Sequence, residues 1–242
     1  MGGATTMNDK VVIVTAASRG IGAGCAKELA ARGYKVSLLA RSASVSDLAQ
    51  SLQGIALQGS LASATDLATL VTNTLDKWGR IDGVVMSFGD PPRPDLLDIS
   101  DQMWLDNFEM LFLSVVRLVR LVTKPMQQQG GGAMVMISAS DSQEPSLSTP
   151  FSGTLRAAMA GFVKLYAKRY RCDLIRINAI APYFVADDIT ELEGWTVPDD
   201  LMWGRPATYQ ELAKAVTFLL SDDAKFISGT TLKVDEAYSG AI

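Results

Sequence analysis

The sequence has no histidine, and only two of its 242 residues, Cys25 and Cys172, are cysteines. The first absence removes Ser-His and Cys-His nucleophilic pairs and every histidine-ligated metal site. The second leaves too few thiolates for a zinc cluster or a disulfide framework. No metal is expected, and two unpaired thiols fit a reducing cytoplasm. Cys25 falls inside a helical pattern, where a small buried thiol is ordinary packing. Long apolar runs are also missing: 11–14 and 135–137 fall far short of a bilayer's thickness, so no membrane span is expected. Positive charge is not in surplus, with 22 Lys and Arg against 26 Asp and Glu and a net charge of −4. That balance carries no footprint for nucleic acid. The first residues contain no apolar segment, so 1–8 read as a flexible tail.

What is present suits one α/β domain over 9–242: 48% hydrophobic and 20% charged residues. Short β-branched runs at 10–15, 35–40, 54–58, 83–87, 133–138, 174–180 and 231–234 read as strands. Between them lie helical patterns at 20–32, 64–77, 100–127, 151–170 and 209–221. Strand and helix in alternation predict a three-layer α/β/α Rossmann fold with a doubly wound parallel sheet. The stretch 183–206 has no strong periodicity and carries Trp195 and Trp203. It reads as a flap over the cleft where such sheets bind ligands, beyond the carboxyl ends of the strands.

Directly after the first strand comes Thr15-Ala16-Ala17-Ser18-Arg19-Gly20-Ile21-Gly22. Gly20 and Gly22 allow a tight turn and close backbone approach to a pyrophosphate seated on a helix N-terminus. The second strand ends at Arg41, where a protein preferring NAD places a carboxylate for the ribose 2′-hydroxyl. Arg41 and Arg19 instead suit a 2′-phosphate.

This loop resembles the T-G-x-x-x-G-x-G phosphate loop of the short-chain dehydrogenase/reductase family, with Ala16 at the first glycine. The likeness runs to the end of the chain through Arg176-Ile177-Asn178-Ala179-Ile180-Ala181-Pro182 and Val234-Asp235. It implies NADP(H), or no cofactor at all, held by Thr15, Ser18, Arg19, Gly20, Ile21, Gly22 and Arg41. It adds Ser60 and Leu61 after the third strand, Ser87 and Gly89 after the fourth, and Pro182 after the sixth. Tyr183 stands where the family has glycine, and would project toward the nicotinamide or serve as an acid.

Family members work with Asn, Ser, Tyr and Lys, the last two one helical turn apart on a shared face. Ungapped matching of Ala157-Ala158 and Gly161 puts Ser152 at the tyrosine, Arg156 at the lysine, Ala139 at the serine and Leu111 at the asparagine. A one-residue shift would pair Phe151 with Leu155 and restore Ser138. A positioned general acid contributes about 10²–10⁴ in rate, and neither register supplies the phenol. The first expectation is therefore a catalytically silent or ligand-binding subunit, in a homo-oligomer or a hetero-oligomer with an active relative. The alternatives are an NADP(H)-dependent oxidoreductase with an atypical Ser152/Arg156 site, or a non-redox enzyme. Asp187, Asp188, Glu191 and Glu193 in the flap would offer bases, and apolar Leu111 and Ala139 suggest a mainly apolar small-molecule ligand.

Overall fold

The computed structural model describes residues 10–192, 199 and 201–241. The tail at 1–8, together with Glu193 and Trp195 of the flap, lies outside them. Seven strands form one parallel sheet in the order β3-β2-β1-β4-β5-β6-β7. They are β1 (Val11–Thr15), β2 (Lys35–Ala40), β3 (Ile55–Gln58), β4 (Gly83–Met86), β5 (Gly132–Ile137), β6 (Ile175–Pro182) and β7 (Thr231–Val234). The helices are α1 (Gly20–Ala31), α2 (Ser44–Ser51), α3 (Ala64–Trp78), α4 (Asp101–Phe108), α5 (Ser114–Gln129), α6 (Pro150–Tyr170) and α7 (Tyr209–Leu220).

Every residue of β1 is buried, as a parallel strand covered on both faces requires. Alternate side chains divide between two cores. Val12 and Val14 join Cys25 and Leu29 of α1, Val45 of α2 and Val216 of α7 on one face. Ile13 joins Leu67 of α3, Val119 of α5 and Val163 of α6 on the other. The inner strands β1, β4 and β5 are thus near-continuous apolar runs, and each helix needs only one apolar stripe.

Three features differ from the sequence reading. Helix α2 was not foreseen, because eight serine-rich residues carry little helical signal; its contribution is Val45 and Ala49 buried beside β2. The helix read at 100–127 is α4 and α5 joined by a π-helical turn, Glu109–Leu113, and α5 continues through Pro125 to Gln129. Strand β6 runs two residues beyond the position read for it, ending at Pro182.

Ala16 holds a positive φ of 48°, the left-handed backbone that costs an L-residue about 1–2 kcal/mol. Ala16→Gly is expected to stabilise the protein by about 1 kcal/mol. Thermal unfolding would register this as a midpoint raised by roughly 2–4 °C.

Candidate functional site

The strand order reverses between β1 and β4, and the loops leaving their carboxyl ends diverge to open a crevice. One side is built around the start of α1. Gly20 has φ +59°, and a Cβ on Gly22 would stand 2.4 Å from the Ala16 carbonyl oxygen, so this turn admits only glycine there. Ala17 N donates to Leu39 O at 3.1 Å, fastening the turn to β2. Arg19 gives α1 no side-chain cap, and its first turn carries no acidic residue. The leading N–H groups and the positive end of the helix dipole are therefore left for an anion, and a pyrophosphate fits this cradle.

Arg41 reaches across the crevice: its Nη2 lies 3.7 Å from where a Cβ would stand on Gly89. Arg19 is exposed on the rim, with Ser18 half-buried beside it. Other expected cofactor residues shape the walls instead. Thr15 is fully buried, and its hydroxyl donates to Ser87 O at 2.8 Å and accepts from Ser87 N at 3.0 Å. Ile21 and Leu61 pack on the two cores. Ser60 N donates to Asp66 Oδ2 at 2.8 Å, and the Ser60 hydroxyl accepts from Ala62 N at 3.2 Å. Pro182 is buried as the last residue of β6.

The other side is built on α6. Arg156 Nη1 donates to Ile137 O at 2.5 Å and to Ser138 O at 2.8 Å, pinning the guanidinium to the end of β5. The guanidinium carbon also sits 5.5 Å from the centre of the Phe88 ring. Burial pushes the Arg156 pKa down to about 10, with Asp90 and then Asp141 opposing, so it stays cationic at neutral pH. Its Nε is buried with no partner. Ser152 is buried one turn earlier on the same helix.

The shifted register finds no chemistry. Phe151 and Leu155 pack with Ile99 and Leu111, and the Trp104 ring meets Phe151 edge-on at 4.8 Å. Leu111 lies in the π-helical turn, buried in that apolar cluster, and Ala139 leads the turn Ser140–Ser142 after β5.

That turn carries a residue the sequence reading passed over. Thr149 Oγ1 donates to Asp141 Oδ2 at 2.7 Å. Burial raises the Asp141 pKa above its ordinary value, against the Thr149 hydrogen bond and the charges of Arg156 and Arg93. The signal available in sequence was slight: an acid two positions past Ala139, in a serine-rich loop.

Two expectations are corrected. Tyr183 stacks on Tyr238 with ring centres 3.7 Å apart and 16° between planes, and meets Phe184 edge-on at 4.3 Å. Its ring is drawn to the C-terminal segment, where it lines an outer cavity of about 470 Å³ with Leu201, Met202 and Glu236. Aromatic pairing, not the empty cleft, sets its direction. The flap's acids are loop fasteners: Asp187 accepts from Tyr209 N at 3.0 Å, Asp188 from Thr190 N at 2.9 Å and Glu191 from Tyr209 Oη at 2.6 Å. No group of three or more Cys, Asp or Glu placed to hold a metal occurs among the described residues. No helix among them is long and apolar enough to cross a membrane.

A family model described as enoyl-(acyl carrier protein) reductase matches residues 15–239. A 3-oxoacyl-[acyl-carrier-protein] reductase of Synechocystis sp. is 31% identical over 96% of this chain and 97% of its own. The chain belongs to the short-chain dehydrogenase/reductase family. Within that family it is also 31% identical to the corresponding reductase of Escherichia coli, over 93% of this chain and 96% of that one. L-sorbose reductase from Gluconobacter frateurii, solved with NADPH and L-sorbose, superposes with a TM-score of 0.85 at 25% identity. That match covers 94% of this chain and 95% of the other.

These matches overturn the expectation of a catalytically silent subunit. Nearly the whole chain aligns with short-chain dehydrogenase/reductase relatives named as reductases. The expectation weighed the four family positions, Leu111, Ala139, Ser152 and Arg156, and left out Asp90 and Asp141, whose charges act on Arg156.

Arg156→Met would leave Ile137 O and Ser138 O without their donor. Chemical denaturation of that variant is expected to show a loss of about 1–3 kcal/mol relative to the native chain.

Proposed function

We propose that this chain is an NADPH-dependent reductase that turns a carbonyl compound into the alcohol through an atypical Ser152/Arg156 site. The observation that carries the reading is the cradle at the uncapped start of α1, with Arg41 spanning from β2 to Gly89. A glycine turn kept at this cost in conformational freedom, with no acidic residue in the first turn of α1 and a cationic side chain nearby, suits the diphosphate and 2′-phosphate of NADPH.

Bound NADPH supplies a hydride to the carbonyl carbon. The chain's part is to hold and to polarise. Gly20 and Gly22 let the backbone approach the diphosphate, and Arg41 with Arg19 pairs the 2′-phosphate. Arg156 brings a fixed positive charge to the crevice, with a buried Nε–H lacking an acceptor. That Nε–H is enclosed by protein, so what Arg156 offers a carbonyl oxygen is its charge. As negative charge develops on that oxygen, a preorganised guanidinium in a dry site stabilises it strongly.

The substrate fits the relatives' chemistry: a 3-oxoacyl thioester or a keto sugar. Exposed Leu105, Phe108 and Leu165 on the long helices support self-association of the chain, which light scattering would read.

Titration with NADPH, followed by tryptophan fluorescence, and NADPH oxidation with a 3-oxoacyl thioester or L-sorbose test the reading. Tight binding with turnover supports it, and failure to bind NADPH sinks it. Arg41→Ala is expected to weaken NADPH by about 10–100-fold, the loss of one charged hydrogen-bonding contact, while NADH affinity stays as it was.

A further inference from the structure

The reductase reading leaves one step without a named residue, the proton that the reduced carbonyl oxygen must take up. The described residues around Arg156 offer few donors. Tyr183 packs its ring on Tyr238 of the C-terminal segment. Ser152 carries an aliphatic hydroxyl, far less acidic than a phenol. Asp90 is exposed. Asp141 is different in each respect. It is half-buried on the turn that follows β5, at the carboxyl edge of the sheet. Its backbone is pressed against the first turn of α6: a Cβ on Gly153, next to Ser152, would come within 3.4 Å of Asp141 O. Pro145, four residues on, packs still closer to Gly153, at 3.1 Å from such a Cβ. Thr149, immediately before α6, donates to Oδ2 and orients the carboxyl, leaving Oδ1 to carry a proton.

We propose that Asp141, as the neutral acid, donates the proton to the carbonyl oxygen, held in place by Thr149 and faced by Arg156. The inference rests on the reductase reading. The step balances: hydride passes from NADPH to the carbonyl carbon, the C=O π pair moves to oxygen, and that oxygen takes the proton from Asp141 Oδ1. NADPH is oxidised to NADP⁺, the carbonyl is reduced to the alcohol, and the Asp141 carboxylate regains a proton from water. A neutral acid must survive near neutral pH for this to work. Desolvation favours it, since burial disfavours the charged form. The groups that face the carboxyl act the other way: the Thr149 hydroxyl, Arg156 from α6 and Arg93 from the loop after β4. Glu144, on the same segment, is turned to Gly240 N at 2.6 Å.

The sign of the pH dependence follows. The acid form is complete below the Asp141 pKa and is lost as pH rises through it, so reduction should fall along an alkaline limb at that pKa. Thr149 stabilises the carboxylate, so Thr149→Val should move both the limb and the carboxyl titration to higher pH. The experiment combines ¹³C-carboxyl NMR titration of the full chain with rates of NADPH oxidation by a 3-oxoacyl thioester. Asp141→Asn is expected to lower turnover by about 100-fold or more with NADPH affinity unchanged. In Thr149→Val the NMR titration and the kinetic limb should shift upward together. Asp141→Asn turning over at the native rate, or a limb that ignores the Thr149→Val shift, overturns the assignment while leaving the reductase reading intact. A native chain that does not bind NADPH overturns both. An Asp141 carboxyl titrating in the ordinary carboxylate range overturns the proton-donor role by itself.

Discussion

Burial of a parallel sheet on both faces is the constraint from which the rest of this molecule follows. Parallel strands must be joined by crossovers, and each crossover lays a helix on one face, so α1, α2 and α7 cover one core while α3, α5 and α6 cover the other. All seven carboxyl ends then point the same way, and the reversal of order between β1 and β4 leaves a gap that no helix can fill. The crevice is a by-product of closing the two cores. Chemistry at this place costs the fold little, because the loops that line it are already held by the strands they leave.

Within the crevice, the controlling feature is a positive charge taken out of water. Arg156 is tied to two β5 carbonyls, and the charges of Asp90 and Asp141 act on it, so its desolvation is offset by hydrogen bonds and by opposite charge. The same low-dielectric setting acts on Asp141 in the opposite sense, favouring the neutral acid. Burial thus weakens the charge of one group and raises the pKa of the other, while each opposes that effect on its neighbour. Such a pairing can serve a carbonyl reduction in which negative charge appears on oxygen and must then be quenched. At the other end, the N-terminus of α1, with no acidic residue in its first turn, and Arg41 supply positive potential.

Much of the architecture was legible in the chain. Short continuous apolar runs in β1 and β5, the switch to helical spacing, and Gly20 and Gly22 just after a strand each reflect local geometry, and the parallel doubly wound sheet followed from their alternation. Helix α2 escaped because Ser44–Ser51 buries only Val45 and Ala49 against β2, too few apolar positions to show a period. The π-helical turn at Glu109–Leu113 escaped because the apolar stripe of α4 and α5 continues across it. Tyr183 was misread because its direction depends on Tyr238, more than fifty positions later, which no local pattern records.

The catalytic end divides in the same way. Local sequence was enough to determine the fold class, the place of the phosphate cradle, the positive charge at Arg41 and the i, i+4 pairing of Ser152 with Arg156, because all of these depend on neighbours within a few residues. Tertiary structure alone decided that Phe151 and Leu155 belong to an apolar cluster, that Arg156 locks onto β5, and that Asp141 meets Thr149 beneath the start of α6. Those facts depend on where separate strands and helices end relative to one another. Burial and partnership set the charge state of a carboxyl, and both are properties of the packed chain rather than of the residue.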